Sequence, residues 1–538
     1  MASVPNLRVF NTRTRQLEPF VPADRHVVRI YTCGLTVYSA MHIGHARTYC
    51  FWDVFRRYLE YRGWHVLSII NYTDIDDRIM TRAAERFADV RTADSAGAGC
   101  LEVAEGVIAT FRRDCRALRI KDYAAYTRAT DFIDAQIDMV AQLIDAGFAY
   151  VVDGEVFYDV QKFERYGQLS GNTIEGQQAG ASGRVDEDFE RKRHPADFTL
   201  WKPSTPEQPS WPTGEAAWPQ GRPGWHIECS AMSTVMLGRH FDVHGGAIDN
   251  LFPHHENEVA QSEPLCGHPW VGYWMHPEHL DLRGVKMSKS LGNVIGIPDL
   301  VAEHRYDEIR WFFASTHYRT KLAFTAELVH ACAEGYKKIT RAVKILGDRL
   351  RDLPPEARAI PVASSYASMR EGDAGIPRDR AAMIHGAFAG PSSRLIDRFI
   401  GAMDHDLGCP QATAALFDYV NELFAGGIET LDDAPSLMAA YRCLVRHLYV
   451  LGVELVDEAL YPELAADCMP AADAGDLLAP YRAVIDRMLQ LRLDARKAKD
   501  FARADLIRDV LKAAGVQVED TPGGARWELA RPTGDEQA

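Results

Sequence analysis

The chain has 538 residues and a formal net charge of −15, and its length predicts about three or four domains. Apolar residues make up 47% and charged residues 25%, proportions that exclude a fibrous or disordered chain. No apolar run approaches the roughly 20 residues of a membrane span, and no secretory signal is visible. The 10 dispersed cysteines indicate a reduced, cytoplasmic compartment. The negative charge argues against nucleic-acid binding unless a local basic patch supplies it.

The first part of the chain is patterned as strand, helix and strand. Val27 to Thr32 predicts a buried strand, His45 to Arg62 a helix, and Val66 to Ile70 a second strand. Polar residues 71–77 follow the second strand, where a parallel sheet places its ligands. We therefore expect residues 1–125 to form the first half of a Rossmann-type, doubly wound α/β catalytic domain.

The following segments predict an insertion and then a return to the sheet. From Gly167 to Gly224 glycine, proline and tryptophan are frequent and helical periodicity is lost. We expect residues 126–224 to form an irregular inserted module rather than a continuation of the sheet. Apolar βα patterning resumes over 225–324, which we assign to the second half of the catalytic domain.

Helical periods dominate residues 325–480, which predict a helical-bundle domain with helical stretches such as Glu327–Leu350, Ser393–Leu423 and Ala434–Leu460. Within it, residues 354–391 are rich in Pro, Ala, Gly and Ser and predict a surface loop or linker.

We expect residues 481–538 to form a small C-terminal domain. Its predicted helix from Tyr481 to Lys512 carries nine Lys and Arg residues against five acids, which reverses the sign of the chain. A solvated helix face explains such a run equally well. A short, turn-rich tail, Gly515–Leu529, follows this helix.

Two short motifs suggest phosphate chemistry. His42-Ile43-Gly44-His45 begins the first predicted helix, where unsatisfied backbone N–H groups and the helix dipole attract phosphate. By itself a His-x-x-His is equally often structural. Lys286-Met287-Ser288-Lys289-Ser290 places two ammonium groups on one short segment suited to meet a polyphosphate.

The ordered pair of motifs resembles the signature of class I aminoacyl-tRNA synthetases. In that family the carboxylate of an amino acid attacks the α-phosphate of ATP, which requires alignment and charge stabilisation more than a general base. The resemblance implies that ATP, with Mg²⁺, is a substrate. It also implies that the catalytic, ATP-binding residues are His42, Gly44, His45, Lys286 and Lys289.

Four residues suggest a metal site. His254 and Glu258 are spaced i, i+4, so on a helix both can reach one ion. Cys33 ends the first predicted strand, and Cys229 lies in the segment Gly224–Met232. Each cysteine alone is more often a small buried apolar residue than a ligand. Two thiolates, an imidazole and a carboxylate are nonetheless a plausible Zn²⁺ ligand set.

The surrounding segments Cys33–Tyr38, Gly224–Met232 and Phe252–Glu258 resemble motifs of cysteinyl-tRNA synthetases. The resemblance implies one Zn²⁺ per chain, held by Cys33, Cys229, His254 and Glu258, with the thiolate of L-cysteine as a further ligand. It implies an amino-acid pocket lined by Gly34, Thr73, Trp225 and His244, with Asp74, Asp76 and Asp77 nearby. A helix cap for the acids and a core position for Trp225 remain alternatives.

The C-terminal residues are similar to the anticodon-binding tail of that family. The resemblance implies that tRNA-Cys is a partner and that the anticodon is contacted by Arg496, Phe501, Asp505, Arg508 and Asp520. We expect a monomer, although the sequence does not fix the oligomeric state. Such side chains can hydrogen-bond or stack on single-stranded bases. The resemblance extends from Leu7 to Trp527. Departures from the family pattern are Leu35 for a usual proline, Phe501 for a common tryptophan, and the segment 404–410.

Three other functions remain as alternatives. A ligase that joins cysteine to an amino sugar resembles the same catalytic domain, but such enzymes lack the anticodon-binding tail. A non-catalytic tRNA-binding relative is expected to have lost the phosphate or metal residues. A structural zinc protein is disfavoured because a glutamate ligand beside phosphate motifs is typical of a working site.

Overall fold

The computed structural model describes residues 6–87, 93–172, 191–214, 216, 218–282, 285–286, 295–360 and 380–468, scattered positions from 489 to 511, and residues 516–521 and 524–529. Two compact units are present. One comprises residues 1–122 and 126–469, and the other comprises 123–125 and 470–538. Among the described residues, no helix is both long enough and apolar enough to cross a membrane.

The chain alternates strands and helices in its first half and is mainly helical afterwards. The strands are β1 Arg8–Asn11, β2 Gln16–Pro19, β3 Val27–Thr36, β4 His65–Thr73, β5 Ala125–Arg128, β6 Ala149–Val152, β7 Glu155–Tyr158, β8 Phe198–Pro203, β9 Gly221–Pro223, β10 Phe241–Gly245, β11 Val271–Met275, β12 Leu280–Leu282, β13 Val285–Lys286, β14 Leu322–Phe324, β15 Val516–Thr521 and β16 Gly524–Leu529. The helices are α1 Ile43–Tyr61, α2 Asp77–Arg86, α3 Ala93–Ala117, α4 Ile133–Asp145, α5 Trp225–Leu237, α6 Ile248–Asn250, α7 Glu256–Cys266, α8 Ile297–Glu303, α9 Tyr306–Ala314, α10 Ala326–Arg351, α11 Arg380–Met383, α12 Ala389–Met403, α13 Cys409–Ala425, α14 Ala434–Val450 and α15 Pro462–Ala465.

A five-stranded sheet in the order β11-β10-β3-β4-β5 organises the first half of the chain. β3 pairs in parallel with β4 and β10, and β10 pairs in parallel with β11. Chain order and spatial order therefore cross over at β3, as in a doubly wound α/β sheet. The predicted Rossmann-type fold is confirmed.

Strand β3 is longer than predicted and continues through Cys33 and Gly34. Its pairing with β4 shifts register between Thr32 and Leu35. A Cβ atom on Gly34 would lie 1.7 Å from the carbonyl oxygen of Asn71, so only glycine allows the two backbones to approach this closely. This irregularity lies at the carboxyl end of the strand, beside the loop that leads to α1.

The insertion is more regular than its sequence predicts. A separate four-stranded antiparallel sheet, in the order β6-β7-β8-β9, forms there. Its strands are short and apolar, with Val156, Phe157 and Trp201 fully buried, and strands this short carry little periodic signal. The module is therefore not irregular throughout, but its strands do not continue the main sheet. Residues 173–190 lie outside the described part.

The helical half contains more helices than predicted. The predicted helical stretch Ser393–Leu423 contains two helices, α12 and α13, separated where Asp406 and Leu407 adopt φ of 56° and 55°. Left-handed backbone ends a helix. The last part of the predicted linker 354–391 forms α11 and the start of α12 instead of a loop. The described positions from 489 to 511 are helical, and β15 pairs with β16 as an antiparallel hairpin.

Helix α1 lies in the main core rather than on its surface. Its aromatic residues Trp52, Phe55 and Tyr58 are buried in the same cluster as residues of α10, α12, α13 and α14. The segment after α12 contacts it as well, since Asp404 Oδ1 accepts a hydrogen bond from the Tyr58 hydroxyl at 2.6 Å. The helix that begins with the His-Ile-Gly-His motif is therefore packed against both the sheet and the helical bundle.

Candidate active site

Four separate elements bring the predicted metal ligands together. Cys33 lies in β3, Cys229 in α5, His254 in the irregular turn Leu251–His255, and Glu258 in α7. All four side chains are buried, and one ligand atom of each lies within 4.8 Å of the others. The two sulfur atoms are 3.9 Å apart, and His254 Nε2 is 2.9 Å from Glu258 Oε1. The described residues thus contain a buried cage of metal-binding atoms.

Local structure explains the placement of two of these side chains. Gly224 precedes α5, and a Cβ atom there would lie 2.1 Å from the carbonyl oxygen of Thr199, so the helix can begin this close to β8 only after glycine. The turn before α7 has a π-type hydrogen-bond pattern, with extended backbone at Phe252. Such turns re-aim side chains and occur frequently at functional sites.

The cluster holds negative charge although it is buried. Cys33 donates a hydrogen bond that outweighs burial and lowers the pKa of the Cys229 thiol to about 6. Burial also opposes ionisation of Glu258, but His244 and His254 lower the pKa of its carboxyl to about 2. Burial alone lowers the pKa of His254, but Glu258 and Cys229 raise it to about 10. A cation is therefore electrostatically favoured at this position.

Further histidines surround the cluster. His244 Nδ1 donates to the carbonyl oxygen of Tyr31 at 2.9 Å, and its Nε2 lies 2.6 Å from Glu258 Oε2. His226 Nδ1 is 3.0 Å from His254 Nδ1. Partners of this kind fix the orientation and tautomer of metal-binding groups.

A second possible ligand set shares two members with the first. Cys33, His244, His255 and Glu258 also have ligand atoms within 4.8 Å of one another. His255 Nε2 is 3.2 Å from Cys33 Sγ, and its Nδ1 is 2.7 Å from His276 Nε2. Burial lowers the pKa of His255 and of His276, so both rings are neutral. His226, His255 and His276 were not predicted as site residues. His226 and His255 are each adjacent in sequence to a predicted site residue, whereas His276 is not.

The predicted amino-acid pocket is only partly in contact with this cluster. The ring of Trp225 stacks on His254 at 4.3 Å, and His244 contacts Glu258. The Gly34 N–H donates to Asn71 Oδ1 at 2.8 Å, and Thr73 Oγ1 accepts from Asn71 Nδ2 at 3.3 Å. Gly34 is adjacent in sequence to the ligand Cys33, and Thr73 ends the neighbouring strand.

The three nearby acids have structural partners. Asp74 accepts from the backbone N–H and the hydroxyl of Thr130 at 3.0 and 2.6 Å. Asp76 caps α2 through the N–H of Arg78 at 2.8 Å. Asp77 lies 2.8 Å from Arg222. For Asp76 the helix-cap alternative is therefore realised.

The His-Ile-Gly-His motif forms the first turn of α1. His42 is the N-cap, and its Nδ1 accepts from the N–H groups of Gly44 and His45 at 3.1 and 3.4 Å. The proton of a neutral His42 ring is therefore on Nε2. The rings of His42 and His45 stack with centroids 3.7 Å apart.

The second phosphate motif is described only at its first residue. The backbone of Lys286 belongs to β13, and Lys286 pairs with Asp281 of β12. Lys289 lies outside the described residues.

The predicted anticodon residues belong to the second unit. Arg496, Phe501, Asp505 and Arg508 occupy exposed helical positions, and Phe501 is 60% exposed. Arg508 and Asp505 form an ion pair at 3.2 Å. Ala504, Ile507 and Leu511 are buried on the opposite face of this helical stretch. Asp520 lies in β15, and only its backbone is described.

The chain is similar to known proteins over nearly its whole length. The family described as tRNA synthetases class I (C) catalytic domain matches residues 19–334. The chain is 40% identical over 530 residues to the cysteine–tRNA ligase of Symbiobacterium thermophilum, covering 97% of this chain and 100% of the relative. It is 38% identical over 529 residues to the cysteine–tRNA ligase of Desulforamulus reducens, covering 97% and 99%.

Solved structures agree on the fold. Mycobacterium tuberculosis methionyl-tRNA synthetase in complex with methionyl-adenylate aligns with a TM-score of 0.54 and 15% identity, covering 82% of this chain and 93% of that one. The Agrobacterium radiobacter LeuRS of a ternary complex with tRNA aligns with a TM-score of 0.57 and 13% identity, covering 83% and 86%. The sheet, the sequence relatives and the family match agree, and the chain belongs to the cysteine–tRNA ligase family of class I aminoacyl-tRNA synthetases.

Proposed function

We propose that the protein activates L-cysteine with ATP to cysteinyl-adenylate and transfers the cysteine to the 3′ end of tRNA-Cys, using Zn²⁺ to recognise the substrate thiolate. The buried cage of Cys33, Cys229, His254 and Glu258 carries this proposal. It lies at β3, and α1, which begins with the phosphate motif, directly follows this strand along the chain. A metal cage beside a nucleotide motif suits a site that must recognise a sulfur-containing amino acid.

The donor set fits Zn²⁺. Two sulfurs, one imidazole nitrogen and one carboxylate oxygen match the ligand types of zinc sites. The second ligand set fits less well, because it offers one cysteine sulfur instead of two and therefore fewer of the soft ligands that zinc sites use. In our assignment His244 and His226 instead orient Glu258 and His254.

The metal supplies the basis for selecting cysteine over serine. Zn²⁺, when bound, favours soft thiolate ligands and promotes loss of the thiol proton, whereas the hydroxyl of serine is a poor ligand and stays protonated. Shape alone rejects such close analogues only about 10²-fold. We propose that Gly34, Thr73, Trp225 and His244 complete the amino-acid pocket. The stacking of Trp225 on His254 supports this role.

ATP is proposed to bind at the first turn of α1. His42 and His45 present stacked rings there, and Gly44 contributes a position without a side chain. We assign to these residues the binding of the triphosphate, with Mg²⁺, and to Lys286 and Lys289 the stabilisation of charge on the leaving pyrophosphate. None of these groups needs to act as a general base, because the substrate carboxylate is already ionised.

The remaining assignments concern the tRNA and the organisation of the chain. We propose that Arg496, Phe501, Asp505, Arg508 and Asp520 contact the anticodon, because an exposed aromatic residue and exposed charged side chains suit splayed bases. We retain the five-part division at residues 125, 224, 324 and 480 as a proposal, together with a cytoplasmic monomer.

The decisive experiment measures exchange of pyrophosphate into ATP with cysteine or serine, together with zinc content. We expect cysteine-dependent exchange and about one zinc per chain. C229S is expected to lose both zinc and exchange, whereas C266S, which changes a half-buried cysteine of α7, keeps both. Normal cysteine activation by verified zinc-free protein would refute the role of the metal.

A second experiment tests the phosphate motif and the acceptor. We expect K289A to lower the rate of exchange on the order of 10²- to 10³-fold, as for other preorganised donors, with zinc content unchanged. Transfer of cysteine to an amino sugar instead of tRNA would favour the sugar-ligase alternative. The alignment with tRNA ligases over 97% of the chain supports tRNA as the acceptor.

A further inference from the structure

Arg47 is buried two residues after the His-Ile-Gly-His motif and has an unusual set of partners. It is 4% exposed, and its guanidinium donates to four backbone carbonyls, those of Glu278, His279, His317 and Thr320. Among the described residues, no carboxylate lies within ion-pair distance of it, although the charges of Glu278 and Asp281 partly offset the effect of burial. Burial lowers the pKa of Arg47 to about 10, so it remains charged near neutral pH. A buried cation without an ion-pair partner requires a specific reason.

The four carbonyls belong to two chain segments that pair with each other. Glu278 N donates to Tyr318 O at 2.8 Å, and Leu322 N donates to His279 O at 3.1 Å. The first segment continues directly into β12, which pairs with β14 and with β13. β13 contains Lys286. Arg47 therefore holds the base of the small sheet from which the lysine motif begins.

The far side of the lysine motif is attached to the same helix. The N–H of Ile43 donates to the carbonyl oxygen of Ile295 at 3.1 Å, and His42 forms a backbone bridge with Gly296. The first two turns of α1 thus contact the chain both before and after the lysine motif.

We propose that Arg47 is a positioning residue for adenylate formation, which fixes the strand leading to Lys286 against the helix that carries His42 and His45. The inference rests on the proposed function, because it assumes that the two motifs act on one ATP molecule. Two phosphate-binding groups on separate elements cooperate only when their separation is fixed, and a displacement of about 1 Å can cost on the order of 10²-fold in rate. The planar fork of arginine donates to four carbonyls through two separate nitrogen atoms, whereas a lysine ammonium has three donors on a single nitrogen.

The test compares R47M, R47K and R56M. Arg56 is the control, because it is also buried on α1 but donates away from the two segments, to the carbonyl oxygen of Asp122 at 2.6 Å and to Glu60 Oε1 at 2.9 Å. We expect R47M to lower kcat of cysteine-dependent pyrophosphate exchange about 10- to 100-fold. KM for cysteine and zinc content remain within about twofold of wild type. R47K loses less activity, and R56M stays close to wild type.

A double-mutant cycle separates positioning from general damage. If Arg47 acts through the lysine motif, R47M adds little to the loss already caused by K289A, because residues that act as a unit are not additive. Multiplicative losses in R47M/K289A, or an equal loss in R56M, would overturn the inference. If R47M does not fold, the same cycle is measured with R47K.

The result also distinguishes the two proposals. Full activity of R47M while K289A is impaired removes the role of Arg47 and leaves the proposed function intact. Wild-type exchange by K289A removes the assignment of the lysine motif itself.

Discussion

Asp53 Oδ2 accepts a hydrogen bond from Arg57 Nε at 2.8 Å, one turn further along α1, and both side chains are buried. Arg310 of α9 donates to the same carboxylate. Arg57 also donates to Glu454 Oε1 at 2.8 Å, in the segment after α14. The helix that begins with the phosphate motif is therefore joined by a buried ionic network to the helical bundle.

This network predicts a large loss of stability in D53N. Removing one charge of a buried network leaves the arginines incompletely compensated, which costs about 3–5 kcal/mol. We expect D53N to unfold at a clearly lower urea concentration than wild type, with unfolding monitored by tryptophan fluorescence. D418N is the control, because Asp418 pairs with Arg398 at 2.7 Å on the surface, with both side chains 52% exposed. Its loss should stay below about 1 kcal/mol, and an equal effect of both variants would contradict the prediction.

The same carboxylate predicts a pH dependence. Burial opposes the ionisation of Asp53, but Arg57 and Arg310 outweigh it and lower its pKa from 3.8 to about 2. Because the carboxyl has a lower pKa in the folded than in the unfolded chain, its ionised form stabilises the folded state at every pH above the unfolded pKa. This contribution, about 2 kcal/mol, is lost as the pH falls through the folded pKa. The difference in urea midpoint between wild type and D53N should therefore be constant above pH 5 and narrow between about pH 4 and 2. A difference that does not change over this range would contradict the assignment.

The sequence predicted the elements better than the connections between them. Apolar periodicity in the local sequence predicts the strands and helices around α1. Short motifs mark the four residues of the metal cage. The break between α12 and α13 has no such local signal, because the left-handed Asp406 is held by distant groups. It accepts from the Phe10 N–H at 2.8 Å and from the Tyr318 hydroxyl at 2.7 Å. Those partners are 396 and 88 residues away, so a local pattern cannot reveal them.

Substitution of the neighbouring histidines His254 and His255 is expected to affect zinc binding to different degrees. In our assignment His254 is a metal ligand, and His255 orients Cys33 through a 3.2 Å contact. H254A should therefore lose zinc, whereas H255A should retain zinc with affinity weakened about 10- to 100-fold. Zinc content and competition with a chelator measure both effects. The reverse order would instead favour the ligand set of Cys33, His244, His255 and Glu258.

Phe501 predicts a defect confined to tRNA charging. Its side chain is 60% exposed, so it contributes little to the core, and stacking of one base on an aromatic ring is worth about 1–3 kcal/mol. We expect F501A to lower kcat/KM for charging of tRNA-Cys about 10- to 100-fold and to leave pyrophosphate exchange unchanged. L493A is the control, because Leu493 is a 39% exposed apolar residue of the same unit. If F501A charges tRNA at the wild-type rate, or if L493A is equally impaired, Phe501 does not stack on the anticodon.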